Sequence, residues 1–176
     1  MPVLITRDEA LARIRDEGGS PACLMCAIRD RQVGATHVVH EDDELLVFLP
    51  RYVRRWGHLV VMPREHVVTY TGVAPALWAR INADALRAAR MLERLREPLR
   101  IYITSTGSSA GELTQTSMHL HVHVIPLFDN HDRPADVFSW QTGVWVAGDD
   151  EWEALRAEYA AAWLHGDTTT GPPAGS

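Results

Sequence analysis

Met118-His-Leu-His-Val-His-Val-Ile-Pro126 places His119, His121 and His123 at every second position. In an extended chain successive side chains point to opposite faces, so this spacing aligns three imidazoles on one face. Leu120, Val122 and Val124 then fall on the other face, which reads as core. Near neutral pH an imidazole serves as base, acid, nucleophile or metal ligand. A His-rich surface strand is the plain alternative, and flanks this apolar argue against it. The segment is where chemistry is expected.

Outward from this strand, the chain reads as alternating sheet and helix. Upstream, residues 105–114 form a Gly/Ser/Thr loop, and residues 99–104 alternate like a strand. The spacing of Leu77, Ile81, Ala85, Ala88, Leu92 and Leu95 predicts a long helix over 74–97, with Pro75 in its first turn and Pro98 stopping it. Before it lie three extended stretches, 36–40, 44–49 and 58–62, with Pro50 and Pro63 marking ends. Thr6-Arg-Asp-Glu9 has capping-box spacing and opens a short helix carrying Leu11 and Ile14, ending near Gly18-Gly19. A loop over 20–26 carries Cys23 and Cys26. Downstream of the histidines, residues 137–147 contain further strand-like pieces. Residues 149–164 form an acid-started helix with Trp152, Leu155, Tyr159 and Trp163 on one side. The Gly/Pro/Thr-rich tail, 166–176, reads as disordered. This order suggests an α+β fold around an antiparallel sheet, a single domain over 1–165 with its core at about 20–128 and a C-terminal extension at 129–165.

The 176 residues are 46% hydrophobic and 23% charged, ordinary for a globular chain. A net charge of −6 gives no basic footprint, so no nucleic-acid partner is expected. Within this acidic background Arg51, Arg54 and Arg55, with Arg64 nearby, form a local basic cluster, either a solvated surface or a phosphate-facing one. No stretch approaches the roughly 18 apolar residues of a membrane span, and the first residues lack a signal-like apolar core. A cytoplasmic location and no membrane partner are the expectation. In that setting a Cys-x-x-Cys pair suggests a metal or redox site before a disulfide.

What could three histidines on one face do? A neutral imidazole is a good nucleophile toward phosphorus, and the resulting phosphoramidate is labile enough for water to cleave. Alternating histidines also bind zinc, iron or copper. Two further stretches bear on the choice. Gly57-His58-Leu-Val-Val-Met-Pro63-Arg-Glu-His66 joins a Gly-His start, an apolar run and a Pro-x-x-His end; Gln115-Thr116-Ser-Met-His119 sets an amide and a hydroxyl just ahead of the histidines. With these the chain resembles the histidine triad (HIT) family, whose signature alternates three histidines with apolar residues. The resemblance covers roughly residues 20–128 and includes the acid-rich lead of residues 40–48.

That resemblance implies a HIT-like fold: a five-stranded antiparallel sheet with one long helix and flanking N- and C-terminal helices. It implies a nucleotide substrate attacked at its α-phosphorus by the central histidine. Here His121 would be the nucleophile, supported by His123 and His58, with Gln115, Thr116 and Ser105 toward the nucleotide and its phosphate. It also implies a structural zinc on Cys23, Cys26, His66 and His119, and a homodimer that joins sheets across a two-fold axis. Three features depart from the pattern or stand outside it. Pro50 occupies the place of a ribose-binding Asp or Asn, leaving Glu41, Asp42 or Asp43 as substitutes, though solvated loop acids is the plainer reading. Ser105 replaces the Asn of an Asn-x-Gly turn, before a longer loop. Trp56 could stack on a ligand; Trp140 and Trp145 could pack against a partner subunit, and Trp78, Trp152 and Trp163 read as core or interface.

The expected activity is a zinc-containing nucleotide hydrolase or transferase acting on a dinucleoside polyphosphate or a nucleoside phosphoramidate. A phosphorylase, with phosphate as acceptor, is its nearest alternative. A nucleotide-sensing module with little turnover is the second class, favoured by Pro50 and Ser105. A metal-dependent oxygenase lacks carboxylates at ligand spacing.

Overall fold

Continuous apolar runs such as Leu45-Leu-Val-Phe-Leu49 suit a sheet covered on both faces, and that is how they are used. A computed structural model describes residues 1–16, 23–105, 107 and 118–165. Its elements in chain order are β1 (Val3–Ile5), α1 (Arg7–Asp16), α2 (Leu24–Arg29), β2 (His37–Glu41), β3 (Leu45–Leu49), β4 (Leu59–Pro63), α3 (Pro75–Arg96), β5 (Arg100–Thr104), β6 (Val122–Leu127), α4 (Pro134–Ser139), β7 (Val144–Val146) and α5 (Asp149–His165). Five strands form one antiparallel sheet in the order β2-β3-β4-β6-β5. Helix α3 links β4 to β5, which therefore lands outside β6 and sandwiches the histidine strand between two partners.

One face of the sheet carries the main core. Leu45, Val47, Leu59, Val61, Leu120, Val122 and Val124 meet Ile81, Ala85, Ala88 and Leu92 of α3 and Trp152, Leu155, Tyr159 and Trp163 of α5. The second face is covered piecewise. Leu46, Phe48, Val60 and Met62 take Met25 and Ile28 of α2, while Ile125 and Leu127 take Val137 and Phe138 of α4. Between those two patches, on this second face, lie the histidines.

The helices at 7–16, 75–96 and 149–165 match the sequence reading closely. Thr6 Oγ1 accepts the Glu9 N–H at 3.2 Å, and α3 ends in a left-handed Glu97 just before Pro98. Three expectations need correction, and one strand was not foreseen. The loop expected over 20–26 becomes α2 from Leu24 onward, because the Cys23 side chain acts as its N-cap, accepting the Cys26 N–H at 3.4 Å. The first part of 137–147 is helix α4, opened by Pro134 and closed by left-handed Trp140; only Val144–Val146 is strand. That strand pairs with β1, an element too short to be read locally and held by a partner at the far end of the chain. Trp140 is buried within its own chain beside Ile5, Ala10 and Val144, not offered to a partner.

His37 tests the cost of burying a polar ring in this fold. It stacks on Trp152 with centroids 5.9 Å apart, and its buried Nε2 has no hydrogen-bond partner. Burial lowers its pKa below the ordinary 6.5, only partly opposed by Asp149 and Glu153. The unfolded chain therefore binds more protons just below about pH 6.5, so stability rises with pH through that window and is lost on acidification. His37→Phe keeps the stacking and removes the titration. It is expected to be at least as stable at pH 7 and to flatten the fall in unfolding free energy toward pH 5, by at most ~1.4 kcal/mol per pH unit, with a matching flattening in Tm. Equal slopes for variant and wild type in thermal melts would rule this out.

Candidate active site and metal centre

The histidine strand is assigned as β only from Val122, yet its alternation begins earlier. Pairing of Val61 with Val122 brings Pro63 opposite Leu120, and proline has no N–H to continue the ladder. The backbone is held instead by Leu120 N–H donating to Val67 O at 2.7 Å. Leu120 thus enters the same core as Val122 and Val124, and the histidines turn to the other face.

His121 is held by its own strand. Its Nδ1 lies 2.6 Å from the carbonyl oxygen of His119, which can only accept, so the ring proton sits on Nδ1 and Nε2 keeps its lone pair. His123 packs edge-on against it at 4.7 Å between centroids. His58 reaches the pair from β4's leading end, with Nε2 2.9 Å from His123 Nδ1. Gly57 makes this approach possible: its φ is +86°, and a Cβ there would collide with the Tyr159 hydroxyl. All three rings are buried, and burial is the chief reason their pKa values lie below 6.5, with the Arg54 charge adding to it. Neutral imidazoles are the result. A neutral ring with one free nitrogen is the nucleophilic form.

His119 turns the other way along the same face. Its Nε2 lies 2.8 Å from Pro63 O, so Nε2 carries the proton and Nδ1 is free. That Nδ1 meets Cys26 Sγ at 3.6 Å and Cys23 Sγ at 3.7 Å, and Cys26 Sγ meets His66 Nδ1 at 3.2 Å. All four ligand atoms lie within 4.8 Å of one another. Tetrahedral zinc, with bonds of about 2.3 Å to sulfur and 2.0 Å to nitrogen, sets S···N edges of about 3.5 Å. The donor set fits. Burial holds His119 down to about 4, and burial with the adjacent Cys23 pushes the Cys26 thiol up. Both effects favour a cation in their midst, since neutral imidazole is a ligand and paired thiolates need a counter-charge.

The basic cluster separates into different fates. Arg55 pairs with Asp132, and Arg64 with Glu41 at 3.0 Å. Arg54 alone of these is buried, its guanidinium 5.9 Å from the Trp140 ring centroid. The acids weighed as substitutes for a ribose-binding residue lie at the β2–β3 turn, the opposite end of β3 from Pro50, and Glu41 and Asp42 are engaged too. Glu41 also binds Arg31, and Asp42 takes the Glu44 and Leu45 N–H groups while pairing with Arg80. Trp56 packs on Trp152 at 4.5 Å, against the core. Ser105 Oγ accepts the Gly107 N–H at 3.3 Å, a turn contact. Gln115 and Thr116 lie outside the described residues. No helix among the described residues is long and apolar enough to cross a membrane.

A sheet-borne row of histidines, buried and neutral at His121 and His123 and meeting a Cys2His2 cluster at His119, defines the class. The HIT domain family model matches residues 31–130, and the chain belongs to that family. An uncharacterized HIT-like protein of Borreliella burgdorferi is 30% identical over 112 residues, covering 61% of this chain and 77% of its own. A Zn-bound histidine triad family protein of Mycobacterium smegmatis aligns at a TM-score of 0.64 and 26% identity, over 84% of this chain and 96% of its own. A hypothetical histidine triad nucleotide-binding protein of Sulfolobus tokodaii shares the fold at a TM-score of 0.66 and 22% identity, over 85% of this chain and all of its own.

Proposed function

We propose that the chain is a nucleotide hydrolase or transferase that works through a nucleotidyl-histidine intermediate. The observation that carries this is the tautomer of His121: Nδ1 is committed to the His119 carbonyl at 2.6 Å, leaving Nε2 as a fixed lone pair. That lone pair attacks the α-phosphorus of a dinucleoside polyphosphate or nucleoside phosphoramidate. The bond from phosphorus to the leaving group breaks as the P–N bond forms, and the departing oxygen or nitrogen takes a proton. Water then attacks phosphorus, the P–N bond breaks, and a nucleoside monophosphate leaves with His121 restored. His123 and His58, hydrogen-bonded to each other, would orient the ring and handle protons. Gln115, Thr116 and Ser105 are assigned to the nucleotide and phosphate side.

Cys23, Cys26, His66 and His119 would hold a structural zinc, which supplies cross-linking and leaves His121 unligated. The Zn-bound relative and the fit of the four ligand atoms support that choice of metal. The sheet's outer strand β5, with Ile103 exposed on it and Leu99 exposed just before it, supports a homodimer joined at that edge.

The test is turnover by wild type and His121→Ala on adenosine and guanosine phosphoramidates and dinucleoside polyphosphates, with and without inorganic phosphate. Turnover by wild type alone supports the reading, and a nucleoside diphosphate appearing on phosphate addition selects the phosphorylase. Binding of nucleotide by both proteins with turnover by neither replaces the enzyme with a sensing module.

A further inference from the structure

We infer that Arg54 is the anion-holding residue of the cleft, its guanidinium gripping non-bridging phosphate oxygens of the ligand whose phosphorus meets His121. The inference deepens the proposed function and rests on it for the identity of the ligand.

Arg54 is only 6% exposed. Among the described residues no carboxylate pairs with it, and its buried Nε lacks a hydrogen-bond partner. A buried guanidinium without an anion is costly, and proteins ordinarily relieve it with a carboxylate. Here the carboxylates go elsewhere. Arg55 takes Asp132 and Arg64 takes Glu41, so the neighbours are neutralised while Arg54 is not. Desolvation brings its pKa down only to about 10, so it remains a cation at neutral pH.

Its placement is built rather than accidental. Val53 and Trp145 exchange two backbone hydrogen bonds, at 3.2 and 2.8 Å, which pin the residue before it to the C-terminal extension. Arg55, the residue after it, is clasped to Asp132. Between these anchors Arg54 turns inward over Trp140. The turn that carries Arg54 runs directly into the paired histidines: the His58 N–H donates to the Arg55 carbonyl at 3.1 Å, and His58 Nε2 lies 2.9 Å from His123 Nδ1. The Arg54 charge is felt by both rings. A planar fork already stripped of water matches a phosphate's paired oxygens and has little left to lose on binding. The ligand supplies the counter-charge that no described carboxylate provides.

The experiment titrates the zinc-loaded protein with AMP, GMP, their nucleosides and inorganic pyrophosphate by calorimetry, in wild type, Arg54→Met and Arg54→Lys. Arg54→Met removes an unpaired buried charge, so its Tm is expected to match or exceed wild type. Affinity for the monophosphates and pyrophosphate should fall about 10- to 100-fold while nucleoside affinity is unchanged. Arg54→Lys, with charge but no fork, should show a smaller loss confined to the anions. Equal anion affinity in all three proteins overturns the inference. So does a lowered Tm with nucleoside binding lost in parallel, which would mark a structural arginine. If Arg54→Met does not fold, Arg54→Lys decides by whether its loss is confined to the anions. Failure of the proposed function shows separately, as unchanged turnover in His121→Ala.

Discussion

Cys23→Ser is expected to yield protein without bound zinc and less stable by at least about 3 kcal/mol, a Tm lower by on the order of 10 °C. The four ligands come from three distant segments: the start of α2, the turn after β4 and the approach to β6. A metal joining them closes loops that no disulfide closes. Serine is a poor substitute because its hydroxyl stays protonated where a thiolate would bind. The damage should spread to activity. His119 supplies the carbonyl that fixes the His121 tautomer, so releasing His119 from the cluster loosens the nucleophile as well. Elemental analysis and thermal melts read the first effect, and steady-state kinetics the second. A variant that retains one zinc per chain would defeat the assignment.

His121→Ala should lower kcat by at least roughly 10³-fold while leaving nucleotide binding within a few-fold of wild type. His123 Nδ1 is engaged with His58, and His119 faces the cysteines. Rapid quench of wild type followed by mass spectrometry should find a nucleotidyl adduct that the variant lacks. An adduct persisting in His121→Ala would move the nucleophile to another residue.

How much of this was legible beforehand depends on the range of the interactions involved. The face of the histidine strand, the stripe of α3 and the buried side of α5 follow from periodicities of two and 3.6, which are local properties of the chain. The convergence of Cys23, Cys26, His66 and His119 was anticipated through the family resemblance, and no spacing in the chain would have shown it. Misreadings cluster where a local preference yielded to a distant partner. β1 exists because β7 pairs with it, and Trp140 faces inward because Ile5 and Ala10 lie beneath it. Cys23 reads as a loop residue until its sulfur is seen capping α2.

The sequence by itself determined that three imidazoles share one face, because alternation and residue type suffice to align them along a strand. It could not say which of four nearby arginines would be buried with no carboxylate partner among the described residues. Arg51, Arg54, Arg55 and Arg64 are alike on the page. Only the tertiary structure, by bringing Asp132 to Arg55 and Glu41 to Arg64 and folding Arg54 over Trp140, decided which charge was buried beside the triad. Ion pairing and desolvation depend on what else occupies the space, and that is settled when distant segments meet.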